Sequence, residues 1–198
     1  CNADDISVFV LFLIAGNLHR NILCGRHPEY YSEDPILTGT LMAYQARGLE
    51  ENGVIATYKH LIANNMEFER KSAHGIIDEN TLRDLYLRVF DKAFSLYKPG
   101  CVMTSYNPVN GIYPCENSAL LNDLLRGEWG FDGFVMTDWG SYDTADSIRS
   151  VCAGTNLLTP GSKKHFRMIL KAVKRNEISK AALQHSVKQI VKVLVRCI

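Results

Sequence analysis

The chain alternates between short apolar runs and longer stretches in which apolar residues recur every three or four positions. Val8 to Ile14, Val54 to Tyr58, Val102 to Thr104, Phe134 to Thr137 and Asn156 to Leu158 are compact apolar or β-branched runs, and each predicts a strand. Between them the pattern predicts helices over 35–51, 117–127, 142–152, 163–175 and 179–196. The clearest helix starts behind Asp78, a suitable N-cap, with apolar residues at 82, 85, 86, 89, 90 and 93 along one face. Asn117 is placed to open the next.

Strand-then-helix alternation implies parallel pairing with helical crossovers. Five such strands suit either a doubly wound sheet or part of a (β/α)8 barrel. The polar residues help to decide. Asn17-Leu18-His19-Arg20, Lys59-His60, Ser105-Tyr106-Asn107, Asp138-Trp139 and Thr159-Pro160-Gly161 each follow a predicted strand. Barrel enzymes assemble their sites at those strand ends. Open sheets bind there too, usually through a glycine-rich phosphate turn. Neither GxGxxG nor GxxxxGK[ST] occurs, which argues against nucleotide chemistry. The expected fold class is therefore α/β, a partial TIM-like (β/α)8 barrel of about five β/α units.

Charge and composition narrow the function. The 198 residues carry 22 Lys+Arg and 21 Asp+Glu, a net charge of +1, against the basic excess of a protein that neutralises phosphates; no nucleic-acid partner is expected. The apolar stretch Ile6 to Ala15 is too short for a membrane span, which takes about 20 residues as a helix. It has no basic leader to make it a signal peptide, and the compartment stays open between cytoplasm and exterior. The first residue is Cys1, so something upstream is expected to have been removed. The six cysteines, at 1, 24, 101, 115, 152 and 197, form no CxxC pair and have no histidine at zinc-finger spacing. Buried free thiols, no metal and no cofactor are expected.

Asp138 heads the candidates. It ends the apolar run Phe134-Val135-Met136 and precedes Trp139, whose flat face suits the C–H surface of a sugar ring. A helix cap or a structural ion pair is the competing role. Lys59 and His60 suit hydrogen bonding to hydroxyls, and both reach one site only if the strand has ended before them. Arg26 and Arg70 are fork donors, and Tyr106 and Asn107 add neutral groups. Glu29, Glu33 and Asp34 read as scaffolding around Arg26. Ser105 has no base beside it in sequence, so no Ser-His-Asp triad is indicated.

Four ordered segments between residues 17 and 161 then resemble glycoside hydrolase family 3. Gly25-Arg26 with Glu29-Tyr30-Tyr31-Ser32-Glu33-Asp34-Pro35 is similar to its GR-x-x-EYYSEDP signature. Lys59-His60, with Asn64, Glu67 and Arg70, is similar to its KHF-x-x-N-x-x-E-x-x-R segment. Met103-Thr104-Ser105-Tyr106-Asn107 with Asn110-Gly111 matches M-x-SYN-x-x-NG, and Leu125-Arg126, Glu128-Trp129-Gly130-Phe131 and Asp138-Trp139-Gly140 match LR-x-EWGF…SDWG. Leu61-Ile62-Ala63-Asn64 stands where the hexosaminidase branch has F-P-G-x-G, so the β-glucosidase branch is favoured.

The resemblance implies a barrel-like catalytic domain, with Asp138 as nucleophile and Arg26, Lys59, His60, Arg70 and Tyr106 holding the first sugar. Trp139 flanks the neighbouring subsite. It implies a β-linked glycoside or oligosaccharide substrate and a covalent glycosyl-aspartate intermediate. The nucleophile must stay ionised, and cationic neighbours are expected to lower its pKa. The family's acid/base Glu belongs to a following α/β sandwich domain, expected to be absent here. The whole chain, 1–198, then reads as part of the N-terminal barrel domain. Its open strand edges are expected to recruit a complementing fragment or a second copy. The alternative expectation is a truncated, inactive fragment that binds sugars weakly.

Overall fold

The computed structural model describes residues 10–197. The predicted residues Cys1, Val8 and Phe9 lie outside that range. Four parallel strands form one sheet in the order β1 (Val10–Ala15), β2 (Ile55–Leu61), β3 (Cys101–Thr104) and β4 (Phe134–Met136). The order never reverses, as in a barrel wall and unlike a doubly wound sheet.

The crossovers are helical. Asp34 caps α1 (Pro35–Glu50), its carboxylate accepting from the Ile36 and Leu37 amides at 2.7 and 2.9 Å. Asp78 caps the next helix through the Thr81 amide at 3.0 Å. That helix runs as a short α2 (Glu79–Thr81), widens to π geometry over Leu82–Leu87, and returns to α3 (Arg88–Leu96). The predicted helix behind Asn117 is also wide, a π-helix over Ala119–Glu128, and Asn117 Oδ1 accepts from the Leu120 amide at 3.1 Å. Then follow α4 (Ser147–Cys152), α5 (Lys163–Lys174) and α6 (Lys180–Leu194).

Side chains alternate across the sheet, as a strand requires. Ala56, Tyr58, Val102 and Val135 face the main core with Met42, Phe90, Phe94 and Leu121 from the helices. Ile55, Cys101, Met103, Phe134 and Met136 face the other side, where Val193 of α6 meets them. Phe94 is the aromatic hub. Tyr58 meets it edge-on at 5.2 Å, and Trp129 stacks on it at 5.4 Å. Gly133 is required where β3 and β4 begin, because a Cβ there would lie 2.2 Å from the Gly100 carbonyl oxygen.

Three expectations need correction. The fifth strand, Asn156 to Leu158, is reduced to a single parallel bridge between Met136 and Leu157. Asn156 instead uses its side chain, Oδ1 accepting from the Val135 amide at 2.7 Å and from Arg126 Nη2 at 2.9 Å. The predicted helix 142–152 is split into a 3-10 turn, Ser141–Asp143, and α4, because Asp146 restarts the helix as an N-cap. Cys24, Cys101 and Cys115 are buried free thiols, but Cys152 is exposed because it ends a short surface helix.

Candidate functional site

The C-terminal ends of the strands converge. β2 is longer than predicted and contains both Lys59 and His60. The expectation that the strand must end before them is therefore wrong. The register of β2 against β3 shifts between Tyr58 and Leu61, which breaks the regular alternation just where both side chains turn to one site. From the end of β4, Asp138 meets His60 and Arg26. His60 Nε2 lies 3.4 Å from Asp138 Oδ2, and Arg26 Nη1 lies 3.9 Å from the same oxygen.

The two Asp138 oxygens differ. Oδ1 accepts from the Trp139 amide at 2.7 Å. Oδ2 is buried and has no hydrogen-bond partner. Burial raises the Asp138 pKa above the ordinary carboxylate value. The Trp139 amide, the Arg26 and Arg70 charges and the Tyr106 hydroxyl oppose that shift without reversing it. This reverses the expected lowering, since desolvation outweighs the cations.

Tyr106 holds the loop after β4: its hydroxyl donates to the Trp139 carbonyl, and burial, followed by the Asp138 charge, pushes its pKa up to about 12. Arg70 stands over the Tyr106 ring at 4.4 Å and pairs with Glu67 at 2.9 Å. The Trp139 side chain stands free, 63% exposed, beside the carboxylate. Gly140 takes a left-handed φ of +78°, turning the chain away immediately after the site.

Lys59 and Arg26 reach the site as a unit joined by Glu29. Arg26 donates to both Glu29 oxygens, at 2.9 and 2.8 Å, and Lys59 Nζ lies 3.0 Å from Glu29 Oε2. Burial opposes the Glu29 charge, yet the bonds from Arg26 and Lys59 prevail and its pKa is lowered. A cleft of about 550 Å³ opens along Leu13, Arg26, Glu29, Tyr31 and Lys59. A smaller apolar cavity, about 230 Å³, lies among the helices around Leu82, Val109 and Leu124, lined by none of the predicted sugar-contacting residues.

All seven predicted residues thus gather at one rim. Ser105 is spent on the Ile62 carbonyl at 2.7 Å, so it carries no triad. Sequence reasoning missed the roles of Asn17 and Lys71. Asn17 bonds His60 on both its backbone and its ring. Lys71 ties down the loop after β4 through the Gly140 carbonyl at 3.2 Å and Asp143 at 2.9 Å. The position of Asn17 directly behind a strand is the signal that could have found it. Among the described residues, no group of three His, Cys, Asp or Glu side chains is arranged to hold a metal, and no helix is long and apolar enough to cross a membrane.

The profile of the glycosyl hydrolase family 3 N terminal domain matches residues 17–193. The chain belongs to glycosyl hydrolase family 3. Within family 3 it is 40% identical over 195 residues to the thermostable beta-glucosidase B of Acetivibrio thermocellus, covering 98% of this chain and 25% of that protein. It is 41% identical over 189 residues to a beta-glucosidase of Rhizobium radiobacter, covering 94% of this chain and 23% of that one. Among solved structures, beta-glucosidase 3B of Thermotoga neapolitana in complex with glucose superposes with a TM-score of 0.91 at 41% identity, over 96% of this chain and 27% of that one. The chain therefore spans about a quarter of the length of the curated family 3 relatives it matches. The partial-barrel fold is that of the family's N-terminal domain.

Proposed function

We propose that this chain is the nucleophile-bearing part of a retaining β-glucosidase-type glycoside hydrolase. Asp138 Oδ2 forms a bond to the anomeric carbon as the bond from that carbon to the leaving oxygen breaks. A general acid protonates the leaving oxygen. Water then displaces Asp138, giving its proton to the same group, and the sugar leaves with its configuration retained. Arg26, Lys59, His60, Arg70 and Tyr106 hold the first sugar, and Trp139 offers its exposed face to the next. Support comes from one observation above all: a buried carboxylate oxygen with no partner, held between Arg26 and His60. Structural carboxylates are usually satisfied, and an orphaned one calls for an explanation.

Glu29 is not the acid in this reading: both its oxygens are bonded to Arg26 or Lys59, which favours its ionised form. The acid comes from a segment beyond residues 1–198, as the family resemblance implies. Among the described residues no strand lies outside β1, where Phe12 and Leu13 are exposed, and that edge is suited to take a further strand or a second copy.

Azide rescue tests this reading. In the full-length protein, Asp138→Gly is expected to abolish turnover of an activated aryl β-glucoside. Azide should restore it and give the α-glycosyl azide. A variant that keeps full activity, or a rescued product of β configuration, contradicts Asp138 as nucleophile.

A further inference from the structure

We propose that Asn17 locks the His60 ring with its proton on Nδ1, so that Nε2 meets the substrate as an acceptor and selects a hydroxyl that donates to it. The choice of a sugar as that substrate rests on the glycosidase reading; the state of the ring does not.

Asn17, at the end of β1, and His60, in β2, are 3% and 1% exposed. Asn17 Nδ2 donates to the His60 carbonyl at 3.0 Å, and Asn17 Oδ1 accepts from the His60 amide at 3.1 Å. These two backbone bonds fix the amide orientation, because a flipped side chain would set donor against donor and acceptor against acceptor. The same Oδ1 lies 3.2 Å from His60 Nδ1. A carboxamide oxygen cannot donate, so Nδ1 carries the hydrogen.

The groups facing the ring are Arg26, Lys59, Arg70 and Asp138. Burial, then the three cations, holds the imidazole neutral, which leaves Nε2 bare. Nε2 points at Asp138 Oδ2, another acceptor without a partner, 3.4 Å away. Two bare acceptors at that distance have no hydrogen to share, the Tyr106 hydroxyl gives its own to the Trp139 carbonyl, and a ligand must supply one. A hydroxyl has a single hydrogen. Donated to Nε2, with its oxygen taking a bond from Arg26 or Lys59, it leaves the Asp138 lone pairs free to attack.

The test is a long-range proton–nitrogen NMR spectrum of the full chain labelled with ¹⁵N-histidine, with His60→Gln to assign the ring. Nδ1 should resonate as a protonated nitrogen and Nε2 as a bare one throughout about pH 5–8, where a free imidazole titrates. A hydrogen on Nε2 within that range overturns the proposal. Asn17→Asp keeps the acceptor and adds a charge, so both nitrogens should become protonated; if that variant does not fold, the wild-type spectrum still decides. In the full-length protein, replacing the recognised hydroxyl by fluorine, which cannot donate, should weaken glucose binding at one ring position by about tenfold or more. Fluorine tolerated at every position overturns the selection. If the ring carries its proton on Nδ1 and no sugar binds, the glycosidase reading falls and the lock stands.

Discussion

The two ends of the sheet treat polar groups in opposite ways. At the N-terminal end the charged side chains Glu50 and Arg126 are bonded to the backbone at the strand starts, and Thr57 Oγ1 is left over there. Glu50 accepts from the Gly100 amide at 2.6 Å, the Ala56 amide at 3.1 Å and the Tyr97 hydroxyl at 2.9 Å, tying the starts of β2 and β3 to the end of α1. Arg126 donates to the Gly133 carbonyl at 3.0 Å and to Asn156, which in turn holds β4. At the C-terminal end, Asp138 Oδ2 and Asn107 Oδ1 are buried without partners, and both oxygen and nitrogen of the Asn64 amide share that state. Leaving a buried polar group unpaired costs about 1–3 kcal/mol. The floor contributes stability; the rim gives some of it up and gains groups ready for a ligand.

Substitutions at the two ends should therefore separate activity from stability. The largest effect is expected from Asp138→Asn in the full-length protein. Turnover should fall by about 10³-fold or more, roughly 4 kcal/mol of barrel-end chemistry. Its thermal midpoint at neutral pH should rise. The folded pKa of Asp138 is raised, so its contribution to stability is fully present below the unfolded pKa and is lost as pH rises through the folded one. The variant lacks that loss, and its advantage over wild type should grow with pH across the acid range in thermal melts. An advantage that shrinks with pH contradicts the sign.

Glu50→Ala should do the reverse. Three donors lose their acceptor, and denaturant titration should show a loss of about 2–3 kcal/mol with the site geometry unchanged. Glu29→Gln is expected between these extremes. It releases Arg26 and Lys59, so KM should rise by about tenfold while the melting temperature barely moves. Smallest of all, Trp139→Ala should raise KM by only a few fold and change stability little, since most of its surface faces solvent.

The contrast between the ends also explains what the sequence could disclose. The helix stripe behind Asp78 and the apolar runs at β3 and β4 are local patterns, and they were readable. The rim was readable as a set of motifs, because each strand contributes its residue in order along the chain. Not readable were interactions made across the fold. Asn156 looked like strand because its neighbours are apolar, yet its amide serves Val135 and Arg126 from other elements. Asn17 meets His60 across 43 residues, and Glu29 joins Arg26, three positions away, to Lys59 on β2. The sign of the Asp138 shift depends on burial, which no residue spacing reveals.

The central claim is that the free oxygen of Asp138 is the atom that captures the sugar. Incubating the full-length protein with a 2-deoxy-2-fluoro-β-glucoside bearing a good leaving group, then mapping peptides by mass spectrometry, tests it directly. The account predicts a single fluoroglucosyl adduct on Asp138 that is absent in Asp138→Asn. An adduct on another carboxylate, or inactivation with Asp138 unmodified, would contradict it.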